Sequence, residues 1–205
     1  MSALKSFLVL LFAGFIAASP GAAAADAPSD FITTLGTRAI TELADEEISQ
    51  ADREARFRTL LNEHFDVPAI GRFVLGRHWK AASDTERTEF LKLFEDFIVR
   101  SYAARFAGYS GETFSVKGST PGPKSATVVH SKVLRGSAEP IRLDWRVEPR
   151  GDKLVITDVI VEGVSMSVTQ RSEFASVIQS SGGKIEGLLE ALRNKTITAD
   201  TTGAQ

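Results

Sequence analysis

The residues of this chain best suited to chemistry are three histidines and one aspartate set in an apolar run. His64 lies beside Glu63 and Asp66, but no H-x-x-x-H or H-E-x-x-H spacing occurs, and a single helix turn does not build a metal site. His78 precedes Trp79 near a helix end, and His130 alternates within a strand; both read as packing or surface side chains. Asp158 is different, because it is embedded among Val and Ile. Burial there would raise its pKa toward the range of a general base. A structural acid, bonded to nearby backbone or to an arginine, accounts for it equally well. No G-x-S-x-G, P-loop or G-x-G-x-x-G is present. With no cysteine there is no thiolate nucleophile, thiolate metal ligand or disulfide. The chain therefore reads as a non-enzyme with no metal or cofactor.

The elements that would position any site follow from composition and periodicity. With 205 residues and 43% hydrophobic content, the chain has room for one domain with a substantial core. A net charge of -2, with both signs interspersed, lacks the basic footprint of a nucleic-acid binder. Residues 1–25 read as a secretory signal peptide. Lys5 gives the positive start, Phe7 to Ala18 a short apolar stretch, Pro20-Gly21 a break, and Ala22 to Ala25 an A-x-A site with cleavage before Asp26. The apolar stretch falls short of the roughly 20 residues that a membrane span needs. No cysteine follows it to carry a lipid anchor. The mature product is expected to be exported and soluble, one domain over 26–195 with a flexible tail over 196–205.

Ala27 to Ala44 and Ser49 to Phe65 read as two helices. Asp66 caps a short element that presents Ile70, Phe73, Val74 and Leu75 and closes at Gly76. Ser83 and Glu86 form a capping box for a long helix, along which Phe90, Leu91, Phe94, Phe97, Ile98, Tyr102 and Phe106 recur at spacings of three and four. Core packing explains that stripe, although the rings are more numerous than a compact core needs. After Gly111 the period changes to two. Glu112 to Lys117, Ala126 to Leu134, Pro140 to Glu148 and Lys153 to Val161 read as strands joined by short turns, hence antiparallel neighbours. The third alternates cleanly, with Ile141, Leu143, Trp145 and Val147 on one face and Arg142, Asp144, Arg146 and Glu148 on a solvated one. The fourth is apolar on both faces, and its pattern does not decide which face points inward. It passes through Gly163 and the hydroxyls of Ser165, Ser167 and Thr169 into a helix bearing Phe174, Val177 and Ile178. A last helix spans Lys184 to Arg193. Helices, a four-stranded antiparallel sheet and further helices make an α+β domain. Aromatic-rich helices facing a curved sheet can enclose a cavity suited to lipid tails, which need apolar walls and few directional bonds.

Three blocks carry a family resemblance: RFVLGRHW (Arg72 to Trp79), TERTEFLKLFEDFIVRSYAARFAGYSGE (Thr85 to Glu112) and DVIVEGVSMSVTQRSEFASVI (Asp158 to Ile178). In this order, from the first helix to Leu192, the sequence resembles the MlaC family, also called the toluene-tolerance family. The resemblance implies a periplasmic phospholipid carrier of Gram-negative bacteria. Its partners would be an outer-membrane lipoprotein–porin complex and an inner-membrane ABC transporter with an MCE-domain protein. It also implies a curved antiparallel sheet of NTF2-like (cystatin-like) type wrapped by helices. Acyl chains would lie between sheet and helices, with the head group near solvent. GRHWKAAS and SMSVTQRSEFAS are equally compatible with the hopanoid-associated HpnM branch, so the cargo is a phospholipid or a hopanoid.

On that reading Phe73, Trp79, Phe94, Phe97, Tyr102 and Phe106 line the helical wall of the lipid site. Leu143, Trp145 and Val147 line the sheet wall, with Val164 and Met166 near the mouth. Arg72, Arg77 or Arg171 meets the phosphate through charge-assisted hydrogen bonds. Two other readings compete: an exported NTF2-like enzyme with Asp158 as base, and a structural adaptor with a filled core.

Overall fold

The computed structural model describes residues 26–202. The expected signal peptide, 1–25, and the last residues of the expected tail, 203–205, lie outside the described residues. Two helices, α1 (Ala27–Leu43) and α2 (Gln50–His64), open the fold. Then come α3 (Val67–Leu75), the single turn α4 (His78–Ala81) and the long α5 (Asp84–Ala103), which tightens into a 3-10 turn over Ala104–Gly108. Strands β1 (Thr113–Pro121), β2 (Thr127–Arg135), β3 (Ala138–Arg150), β4 (Lys153–Val161) and β5 (Val164–Ser165) follow, and α6 (Met166–Ser180) and α7 (Ile185–Thr202) close the chain. The backbone of α7 continues past the point where the tail was expected to begin, because extending a formed helix costs far less than starting one.

The sheet is an antiparallel meander in the order β1-β2-β3-β4-β5. It has five strands, one more than the four expected from the alternation. The extra strand arises because Glu162 and Gly163 both take positive φ, 50° and 83°, the twist of a two-residue hairpin turn. Val164 is thereby folded back to pair with Val161, and Ser165 with Ile160. The backbone of Glu162 donates to the Arg142 carbonyl at 3.0 Å, which fixes the turn against β3.

A bulge settles the inward face of β4. Arg146 pairs with Asp158 but Val147 pairs with Ile156, so one residue is extra on β4 and the alternation changes parity there. Leu154 and Ile156 before the bulge therefore share a face with Val159 after it, and all three pack in one apolar cluster.

The apolar interior has two parts. In one, Ile32 and Leu35 of α1 and Leu60 of α2 cover Val129, Val147 and Ile156 of the sheet. In the other, α3, α5, α6 and α7 enclose Val74, Phe90, Phe94, Phe174, Ile178 and Leu189. Phe57 and Phe65 touch both clusters. The α2–α3 junction is also bonded to the sheet, since the Asp66 amide donates to the Ile156 carbonyl at 3.0 Å.

Candidate functional site

A cationic concavity lies where α3, α4 and α6 meet. Asp66 caps α3 by accepting the Ala69 amide at 3.0 Å, and Pro68 occupies the first turn, where no amide is needed. The helix stops at Gly76, whose φ of 59° and ψ of -126° suit a residue without a Cβ. A Cβ there would lie 3.0 Å from Nε of Arg171, so the missing side chain also makes room for that guanidinium. Arg171 crosses from α6 to stand over the Phe73 ring, 5.1 Å from its centroid. Arg72, Arg77, Trp79 and Lys80 complete an open groove of about 500 Å3. Arg87 lies 5.7 Å from the centroid of Trp79 and donates to its carbonyl at 2.9 Å, holding the ring's backbone in place. Burial, reinforced by the neighbouring Arg77 charge, holds His78 below its ordinary pKa.

Of the residues expected at a lipid site, the structure gathers Arg72, Arg77, Arg171, Phe73 and Trp79 around this groove. The others lie elsewhere. Phe94 is sealed in the helical cluster, 2% exposed and stacked on Phe90 at 5.6 Å, and half-buried Phe97 meets Phe174 at 5.9 Å. Phe106 belongs to the sheet cluster instead, tilted against Phe57 at 6.2 Å, and Tyr102 lies under the Arg105 guanidinium at 5.2 Å. The stripe divides because α5 tightens after Ala103, which redirects the side chains that follow. On the sheet, Trp145 is half-buried; it meets the Phe114 edge at 6.2 Å and donates from Nε1 to Ser131 Oγ at 2.9 Å. Leu143 is half-buried, whereas Val147 is 1% exposed within the core. Val164 is exposed and Met166 half-buried at the turn into α6. Sequence reasoning missed Lys80 and Ala69 as groove residues. The signal available was that 67–83 contains no acidic residue.

Asp158 has a structural role. Its carboxylate is buried, accepts the Ser165 hydroxyl at 2.6 Å and the Ser167 amide at 3.1 Å, and has Arg146 Nη1 at 3.5 Å. It caps the start of α6 with its lone pairs committed to those donors. On the same side of the sheet His130 Nδ1 contacts Asp144 at 2.9 Å and its Nε2 contacts Thr120 at 3.0 Å. The charges expected to be solvated there are in part half-buried and paired across strands. Among the described residues no group of three or more His, Asp or Glu is arranged to hold a metal ion.

Residues 34–194 match the sequence profile of the family described as MlaC protein. The chain belongs to the MlaC family. A solved structure of the phospholipid-binding protein from Ralstonia solanacearum, in complex with a phospholipid, has the same fold. The two align with a TM-score of 0.71 and 22% sequence identity, covering 84% of this chain and 98% of that chain. The helices and open antiparallel sheet described above are thus the MlaC family fold. Among the described residues, no helix is long and apolar enough to cross a membrane.

Proposed function

We propose that this chain is a periplasmic phospholipid carrier, exported by residues 1–25. It would hold acyl chains in an apolar site and pass lipid between an outer-membrane lipoprotein–porin complex and an inner-membrane ABC transporter with an MCE-domain protein. The observation that carries the reading is membership of the MlaC family together with a fold shared with a phospholipid complex. The divided interior supports it. Two apolar clusters bridged chiefly by Phe57 and Phe65 can part along their seam more readily than one continuous core.

In this proposal the tails enter between the clusters. Phe97, Tyr102 and Phe106 face them from the helical side, Leu143 and Trp145 from the sheet, and Val164 and Met166 flank the entrance; all of these are half-buried or exposed. Phe94 and Val147, sealed in packing, back the walls. Phe73 and Trp79 lie further out, where Arg72, Arg77 or Arg171 takes the phosphate. Asp158 is a helix cap in this scheme and does no proton transfer.

Native mass spectrometry of protein purified from the periplasm, followed by solvent extraction, tests the proposal. One phospholipid per chain is expected. A hopanoid in its place keeps the carrier and changes the cargo. A chain that is empty after gentle purification overturns the reading in favour of an adaptor.

A further inference from the structure

The groove holds four cations, more than one cargo phosphate requires. Residues 67–83 contain no carboxylate, yet the chain as a whole has a net charge of -2. Arg72, Arg77 and Lys80 come from this run, and Arg171 is laid over Gly76 from α6. Among the described residues, none of these cations is held by a carboxylate. Elsewhere Arg38, Arg58, Arg87, Arg150 and Arg193 are each tied to one or two. Apolar groups stand beside the free charges. Phe73 is 41% exposed, and Val168, 54% exposed, precedes Arg171 by three residues on α6 and so shares its side of the helix.

We infer that this face of α3, α4 and α6 seats the protein on the surface of an anionic bilayer. Every side-chain polar atom lining the groove is a donor: the guanidinium groups of Arg72, Arg77 and Arg171, the Lys80 ammonium and the Trp79 indole N–H. A protein surface offers donors and acceptors mixed together. A layer of phosphate diesters offers acceptors, with hydrocarbon just beneath for an exposed ring and an exposed valine. This surface contact goes beyond the cargo reading, although it draws on the same groove cations.

The test is flotation of the full mature chain with phosphatidylcholine vesicles, made with or without phosphatidylglycerol. The protein is expected to float with the anionic vesicles, less so as salt is added, and to stay behind with phosphatidylcholine alone. Lys80→Gln removes one cation and is expected to lower partitioning roughly fivefold. Val168→Ser is expected to lower it at every salt concentration. Both positions are exposed, so both variants should melt as the parent does, and Val168→Ser, which lies outside the groove lining, should also keep its lipid load by native mass spectrometry. Equal flotation with both vesicle types, or a Lys80→Gln protein that floats as well as the parent, overturns the inference. So does a lipid-loaded chain that never floats, which would assign the face to an acidic protein surface and leave the cargo reading intact. An empty chain that still floats overturns the cargo reading alone.

Discussion

Asp158 accepts the Ser165 hydroxyl at 2.6 Å, joining the end of β4 to the first turn of α6 across the two-residue hairpin. The same carboxylate takes the Ser167 amide and faces Arg146, whose Nε is buried without a partner. Removing the acid strands a buried amide and a partly buried guanidinium together. Asp158→Ala is expected to cost about 3 kcal/mol of folding stability, and Asp158→Asn, which keeps one acceptor, about 1–2 kcal/mol. Urea unfolding measures both. Lipid load per folded molecule should not change. An Asp158→Asn protein as stable as the parent would contradict the capping role.

Leu143 and Val147 test the proposed lining against packing. Both lie on the apolar face of β3, but Leu143 is half-buried and Val147 is sealed against Ile156 and Val129. Val147→Glu places a carboxylate in a filled core and is expected to cost about 3 kcal/mol or more, leaving little folded protein. Leu143→Asp should fold and lose its lipid, as read by extraction from the soluble, cooperatively melting fraction. A folded Leu143→Asp protein with a full lipid load would remove Leu143 from the site.

These two positions also mark how far the sequence could be read. Alternation along β3 identified the apolar face, and the Ser83–Glu86 capping box located the start of α5. Periodicity says which side of an element is apolar. It does not say whether the neighbour is protein or cargo, so Phe94 and Phe106 looked like one wall although they belong to different clusters. The orientation of β4 was hidden by a single extra residue, because a bulge reverses the parity on which alternation depends. The groove was half legible. Arg72, Arg77 and Trp79 are close in sequence, but Arg171 reaches them only through the packing of α6 on α3.

Gly76 combines a backbone conformation that other residues avoid with close approach to Arg171. Gly76→Ala is expected to cost about 1–3 kcal/mol from the backbone alone. The added methyl should also move the guanidinium off the Phe73 ring. A thermal melt reads the first effect. If the groove takes the cargo phosphate as proposed, the second should appear as a smaller lipid load in native mass spectra. A variant as stable as the parent would mean that the turn relaxes to another conformation at little cost.

The pH dependence of stability should have two separate stages. Burial lowers the pKa of His64, helped by the Arg38 charge whose Nη1 lies 3.3 Å from its ring, and burial with Arg77 does the same for His78. A histidine with a lowered folded pKa contributes most above its unfolded value of 6.5, and the contribution is lost as pH falls, since the unfolded chain binds the proton first. The second stage belongs to carboxylates. Glu86 is lowered by its bonds to Ser83 and Asp26 by its bond to Ser29, so their contribution is lost only below the unfolded values of 4.5 and 3.8. Urea midpoints across a pH series should therefore decline below 6.5 and decline again below 4.5. His64→Gln with His78→Gln should flatten the first decline and leave the second. If the double variant loses stability as steeply as the parent before the carboxylates protonate, neither histidine is responsible for the first stage.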